Sequence, residues 1–527
     1  MTEAALLDTP AESRPAARSV GGRRRREWIA RTLLALIVAA PIAVYLWIAA
    51  HRLGYPYELD WMEGGSVELV ARVAAGHSLY ATPSLAYVGW TYPPLYYWVS
   101  AAVAEITGIG FLPLRLVSTV ASLLAMATLA GIVWRETRDR LAGLVAAGLF
   151  AATFQISGAW FDTGRVDSML VALTLVALAW GRWARTVRGG VGLGVLAFLA
   201  FFTKQTGLVA LLPALLYLAV ARRRVGVPAL VTLLGLAAVS TVVLDAASNG
   251  WYRYYVFSEL SGQPWAQQVW VSFWVSDIWD HEWPVVALVG AAGVLGWRGR
   301  SRLHRRPANL YWATAAAGLV VSAWLSRLHT GGYANVLMPA YAATALLGGL
   351  AFGTLAQRTG TRAETGRRSS VTAPLAGLTL VAQMALLAYL PQAQIPTATD
   401  RAAGAQLIAR LRSLPGPVIV LRHPWYATLA GKGSSAAQQE ALHDVLRSSA
   451  ERGPRALRAS MGGALDADGV QTVVLDYAGD GSLLGPEFTR EFRVQSAPIT
   501  PSRLYPLTDL RTAPRLLYRR IAGPKPP

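Results

Sequence analysis

The segment Glu58-Leu-Asp60-Trp-Met-Glu63-Gly-Gly carries three carboxylates in six residues. It follows Trp28–Ala50, an apolar run long enough to cross a bilayer. Carboxylates beside a membrane are costly unless they face water or a partner, so the cluster belongs at the mouth of a polar site. The chemistry that suits Asp60 and Glu63 is general base catalysis, in which a carboxylate takes a proton from a hydroxyl or amine as that group attacks an activated carbon. The same spacing also fits a helix start, with Asp60 as N-cap and Glu63 at the third helical position.

A second cluster is Phe161-Asp162-Thr-Gly-Arg165-Val-Asp167. Two acids and an arginine in a short loop suit a metal (through Asp162 and Asp167), a phosphate or an acceptor. They equally suit a salt-bridged helix cap, with Asp167 favoured by the helix dipole. Lys204 is one of three lysines in the chain and sits in a hairpin between two apolar runs. A compact ammonium suits a phosphate, or it snorkels to lipid headgroups. Tyr92-Pro93-Pro94-Leu95-Tyr96-Tyr97 forms either an aromatic wall, with Tyr92 and Pro94 against a ligand, or the first turn of a helix. In Ser326-Arg327-Leu-His329, Arg327 suits a phosphate with His329 assisting, or a lipid headgroup. The loop from Trp251-Tyr-Arg-Tyr-Tyr255 to Trp283 reads as an acceptor groove or an aromatic belt.

The elements that must position these groups follow from composition. The chain has 527 residues, 54% hydrophobic and 15% charged, with a mean hydropathy of +0.36. Soluble domains are nearer 25% charged, so this is a polytopic α-helical membrane protein. The net charge of +19 does not indicate nucleic acid, because the basic residues recur as short knots between apolar runs, as the positive-inside rule requires. No cysteine is present, which excludes disulfides and thiolate metal sites. Eleven spans place every knot on the cytoplasmic side: Trp28–Ala50, Leu112–Trp134, Leu141–Trp160, Val166–Trp183, Val191–Phe202, Gly207–Ala221, Val227–Ala247, Trp283–Trp297, Leu310–Leu325, Tyr333–Leu355 and Val371–Leu390. Pro94–Gly108 would invert that parity as a span and carries Glu105. It is therefore read, with a helix near Gly65–Ala75, as an interfacial helix of the first external loop.

Residues 1–27 then form an irregular basic cytoplasmic N-terminus, 28–390 the membrane body and 391–527 an extracytoplasmic domain. Apolar bursts at Val418–Leu421 and Val473–Leu475 and a helical period over Ala402–Leu411 give that domain an α/β character. Odd parity puts it on the same face as Asp60, Arg165, Lys204 and Arg327. The Ala/Arg/Gly bias with scarce lysine fits a GC-rich bacterial genome and hence a bacterial plasma membrane.

Four features in order, Asp60/Glu63 after the first span, Pro93-Pro94-Leu95 before the second, Arg165-x-Asp167 opening the fourth and Thr203-Lys204 between the fifth and sixth, resemble the GT-C superfamily of membrane glycosyltransferases. The likeness is to the branch with bacterial protein O-mannosyltransferases and the lipid A aminoarabinose transferase. The resemblance implies inverting transfer of a sugar from a polyprenyl-phosphate donor to an envelope glycan, lipid or protein, with Asp60 as base and Glu63 its rival. It implies that Arg165 and Lys204 hold the lipid phosphate and that Asp167 orients Arg165 or a metal. No other cofactor is implied, and a divalent metal is used by only some members. The family pairs adjacent Asp-Glu, whereas two residues intervene here. Tyr92 stands where the aminoarabinose transferase has a basic residue, so that phosphate contact is either missing here or supplied by Arg327. A transporter of lipid-linked sugars is the alternative, but it would be expected to carry its charges near the midplane. A non-catalytic envelope assembly protein is the second.

Overall fold

The computed structural model describes residues 16–298, 307–364, 372–433, 437–500 and 502–521. Residues 1–15 and parts of two basic knots, at 299–306 and 365–371, lie outside the described residues. α1 (Ala16–Leu53) begins within the stretch expected to be irregular and runs into the first loop, which carries α2 (Glu63–Ala74) and α3 (Leu95–Thr107). Then come α4 (Phe111–Thr137), α5 (Arg140–Ala152), α6 (Asp167–Trp183), α7 (Val187–Thr203), α8 (Thr206–Ala221) and α9 (Arg223–Ala247). Two single turns, α10 (Trp251–Arg253) and α11 (Val269–Ser272), each continue into a π-helical stretch, Tyr254–Glu259 and Phe273–Trp279. α12 (Asp280–Arg298), α13 (Pro307–Leu328), α14 (Met338–Glu364) and α15 (Thr372–Leu386) complete the bundle.

A helix thus stands at each of the eleven expected spans. Five helical stretches among the described residues are long and apolar enough to cross a membrane: Arg25–Leu53, Phe111–Thr137, Arg223–Ala247, Ala308–Leu328 and Ala334–Gln357. The shortest of the eleven, α5, has 13 residues, about 20 Å at 1.5 Å per residue. The expected span Leu141–Trp160 is completed by turns rather than helix. α5 lies tight on α1 because Gly148 abuts the Val38 carbonyl with no room for a Cβ, the small-residue contact that membrane helices use. α9 leaves Val231, Val239 and Val242 exposed, an apolar face suited to lipid. α3 takes the place of Pro94–Gly108, buries Tyr96, Tyr97 and Ala101 on one side, and exposes Trp98 and Ile106 on the other.

Beyond Leu386 the chain bends by 53° and enters the C-terminal α/β domain. α16 (Ala398–Ser413) opens with a capping box between Thr397 and Asp400. β1 (Val418–Val420) and β2 (Thr472–Leu475) pair in parallel, Ile419 opposite Val473. β3 (Phe492–Val494) and β4 (Leu516–Arg520) complete a sheet of order β1-β2-β4-β3, with β4 antiparallel to both neighbours. Crossovers between β1 and β2 include α17 (Pro424–Leu429), α18 (Gln439–Arg447) and α19 (Arg452–Met461). Among the described residues, the buried apolar side chains of this domain fall in clusters shared with the first loop. One buried cluster joins Trp61, Val67, Trp90 and Tyr96 to Trp251, Tyr255, Leu421, Leu442 and Val473. Another joins Tyr55, Tyr57 and Leu59 to Leu407, Val418 and Leu517.

Candidate functional site

The two candidate bases differ completely in surroundings. Glu63 is fully buried and its carboxylate is saturated. Oε1 accepts from Arg115 Nε at 2.8 Å and the Gly164 N–H at 2.9 Å. Oε2 accepts from Arg115 Nη2 at 2.7 Å and the Leu59 N–H at 2.9 Å. Arg115, in the first turns of α4, also donates to the carbonyls of Arg52, Tyr55 and Tyr57. This pair fixes the descent of the chain from α1 into α2. Asp60 is equally buried, yet neither of its oxygens has a hydrogen-bond partner. It does not cap α2, which begins at Glu63 after Met62 with no side-chain cap. Burial pushes Asp60 well above the ordinary carboxylate range, against the opposing pull of Arg165.

Arg165 is the matching cation. It is 3% exposed, its Nε and Nη1 have no partner, and its guanidinium lies 5.0 Å from the Trp160 ring and 5.3 Å from the Trp90 ring. Asp60 and Asp167 both act on it electrostatically. Asp167, the first residue of α6, accepts from Lys204 Nζ at 2.7 Å and from Asn335 Nδ2 at 2.8 Å. Lys204 caps α7 in an extended conformation and places its ammonium 5.3 Å from the Tyr92 ring centroid. Pro94 immediately precedes α3 and its carbonyl receives the Trp98 N–H, so it starts that helix. Asp60, Arg165, Asp167, Lys204 and Tyr92 therefore form one electrostatically connected group at the end of the bundle where α6 begins and α7 ends.

The remaining candidates are engaged elsewhere. Asp162 pairs with the buried Arg52 at 2.9 Å, while Asp167 pairs with Lys204. Each of the two carboxylates proposed for a metal is thus already neutralised by its own cation. Among the described residues the one group of three carboxylates close enough to share an ion is Asp466, Glu487 and Glu491, where Arg520 bonds two of them. Arg327 is tied to Asp277 at 3.0 Å and to the Gly332 carbonyl, inside its own hairpin. His329 packs 5.1 Å from Trp265 with its Nδ1 buried and unbonded, and burial lowers its pKa. Trp251, Tyr252, Tyr254 and Tyr255, expected in a groove or belt, are buried in the core shared with the first loop.

Residues of the C-terminal domain reach the Asp60 turn, a role no sequence pattern had signalled. His423 bridges two buried carboxylates, Nδ1 to Glu58 and Nε2 to Asp476 at 3.1 Å. The Tyr426 hydroxyl accepts the Glu58 N–H at 3.3 Å. Trp61 Nε1 donates to Asp509 at 3.3 Å, and Arg422 lies 5.6 Å over the same indole. Beside the turn, a cleft of about 410 Å³ opens between α2 and this domain, lined by Gly65, Glu68, Arg72, Tyr87, Trp90 and Gln438 among others. Trp90 is common to the cleft and to Arg165.

The fold is a long helical bundle with two helices in its first loop and a small α/β domain seated on that loop. Residues 91–244 match the family model described as dolichyl-phosphate-mannose-protein mannosyltransferase. Among solved structures, ArnT from Cupriavidus metallidurans in the apo state aligns with a TM-score of 0.56 at 16% identity, covering 95% of this chain and 100% of that one. The same protein bound to undecaprenyl phosphate aligns at 0.55 and 13%, covering 94% and 99%. The Archaeoglobus fulgidus oligosaccharyltransferase aligns at 0.48 and 12%, over 85% and 69%. No curated protein matches the sequence.

Proposed function

We propose that this chain is an inverting glycosyltransferase that moves a sugar from a polyprenyl-phosphate donor to an envelope acceptor on the extracytoplasmic face of a bacterial plasma membrane. The observation that carries the reading is Asp60, a buried carboxylate with both oxygens free, set against Arg165, a buried guanidinium with donors free. Leaving such groups unpaired costs stability, which suits a site whose partners arrive with the substrates. Asp60 takes the proton of the acceptor hydroxyl or amine as that atom bonds the anomeric carbon. The carbon–oxygen bond to phosphate breaks on the opposite side, and the prenyl phosphate leaves with the electron pair. Arg165 and Lys204 stabilise its developing charge. The saturated Glu63 has no free lone pair in this geometry and serves to build the turn. The undecaprenyl phosphate bound by the structurally similar ArnT supports a lipid phosphate as leaving group. The 410 Å³ cleft, aromatic and polar at once, is where an acceptor would approach, since Trp90 both lines it and faces the Arg165 guanidinium.

Mass spectrometry of the envelope from a strain lacking the protein tests this. A sugar should be missing, and the wild-type chain should restore it where D60N does not. Restoration by D60N would remove the proposed base.

A further inference from the structure

We propose that the C-terminal domain is a positioning clamp for the Asp60 turn, with His423 as its central positioning residue. The inference rests on Asp60 being the base. Asp60 makes no hydrogen bond of its own through its carboxylate, so its orientation must come from its chain neighbours. Each of the three that share residues 58–61 with it is held by the C-terminal domain. Glu58 binds His423 through its carboxylate and Tyr426 through its N–H. The Leu59 carbonyl accepts both the N–H and the hydroxyl of Thr508, each at 2.9 Å. Trp61 donates its indole N–H to Asp509.

His423 is itself fixed. Asp476, directly after β2, takes its second nitrogen at 3.1 Å, and the ring stacks on Tyr426 at 5.4 Å with planes 13° apart. All of Glu58, His423 and Asp476 are at most 3% exposed. Such a buried charged network is a poor way to gain stability but a good way to fix geometry. The geometry matters because a misplacement of about 1 Å costs on the order of 10²-fold in rate.

The test uses the full-length protein in lipid nanodiscs and compares H423A and H423Q with R452A. Arg452 also joins the domain to the bundle, through the carbonyls of Asn249 and Gly250, but touches nothing in the Asp60 turn. Amide hydrogen exchange of residues 58–63 should accelerate about tenfold in H423A. With the polyprenyl-phosphate sugar that wild type uses, kcat should fall about 10–100-fold while KM for that donor changes less than about threefold. H423Q, which still donates one hydrogen bond, should fall between H423A and wild type, and R452A should move neither quantity. If H423A does not fold, Y426F, which deletes only the bond to the Glu58 N–H, carries the same expectation at about threefold. Exchange and kcat within about twofold of wild type, or an equal effect of R452A, would overturn the clamp. D60N measured in parallel separates the two readings: normal transfer by D60N overturns the base and the clamp on it together, whereas a dead D60N beside an unaffected H423A overturns the clamp alone.

Discussion

Glu63→Gln and Asp60→Asn are near-isosteric changes three residues apart, and the structure assigns them opposite consequences. Each oxygen of Glu63 accepts two N–H donors, and all four distances lie between 2.7 and 2.9 Å. An amide keeps one acceptor oxygen and puts an NH2 group where the other stood. Whichever way it is turned, two buried donors lose their partner, one from Arg115 and one from the backbone. Each orphaned buried donor costs about 1–3 kcal/mol, so E63Q should lose about 2–6 kcal/mol, and more if Arg115 cannot reach another acceptor. Asp60 has no hydrogen bond to lose. Asp60→Asn relieves the desolvation of one carboxylate but gives up its attraction to the buried Arg165, so stability should change by less than about 1 kcal/mol, while transfer should fall about 10²–10⁴-fold with loss of the general base. Apparent melting temperature and monodispersity in detergent, measured beside transfer rate, give both readouts. E63Q as stable as wild type with D60N near full activity would show that the roles of the two carboxylates have been exchanged.

Three further outcomes follow from the same geometry. Arg165→Gln, which removes a cation with free donors, should raise KM for the donor about 10–100-fold with little change in melting temperature, because a charge-assisted hydrogen bond to phosphate is worth about 1.5–3 kcal/mol. Because burial raises the Asp60 pKa, transfer should increase with pH as Asp60 ionises, and the profile of kcat/KM against pH for the free enzyme should show a rising limb displaced above the ordinary Asp range. The third concerns the C-terminal domain. Burial pushes Glu58 up to about 7, and Glu58 with Asp476 holds His423 up at about 10 against its own desolvation. Both folded values lie above the ordinary 4.5 and 6.5, so the stability they contribute is complete below the unfolded values and is lost as pH climbs through the folded ones. Melting temperature should fall as pH rises from about 4.5 to about 10, and H423Q should flatten the part of that fall above pH 6.5.

Much of this was legible in the sequence because lipid imposes a one-dimensional rule. A stretch such as Arg223–Ala247 has few alternatives to a helix, and the helix expected near Pro94–Gly108 is present as Leu95–Thr107. The pairings were not legible. Arg52 and Arg115 stand in or beside apolar helices and looked like ordinary basic residues, although an arginine four residues into an apolar helix calls for a buried partner. Their partners, Asp162 and Glu63, were read as candidates for metal binding and catalysis because spacing reports what a carboxylate can do, not whether its lone pairs are already taken. The link from Glu58 to His423 spans 365 positions and leaves no local pattern at all. The turns that complete Leu141–Trp160 escaped for a simpler reason: apolar composition continues past the last helical residue, Ala152.

The order of the sheet carries a consequence for how the molecule is made. β4 lies between β2 and β3 although it is the last of the four to leave the ribosome, and Thr508 and Asp509, which grip the earliest loop, emerge barely ahead of it. A chain that stopped near residue 500 would already possess the helices of the bundle and the His423 and Tyr426 contacts to Glu58, but it would lack the bonds that Thr508 makes to the Leu59 carbonyl and Asp509 to the Trp61 indole. The last grips on the Asp60 turn are therefore added only as synthesis finishes.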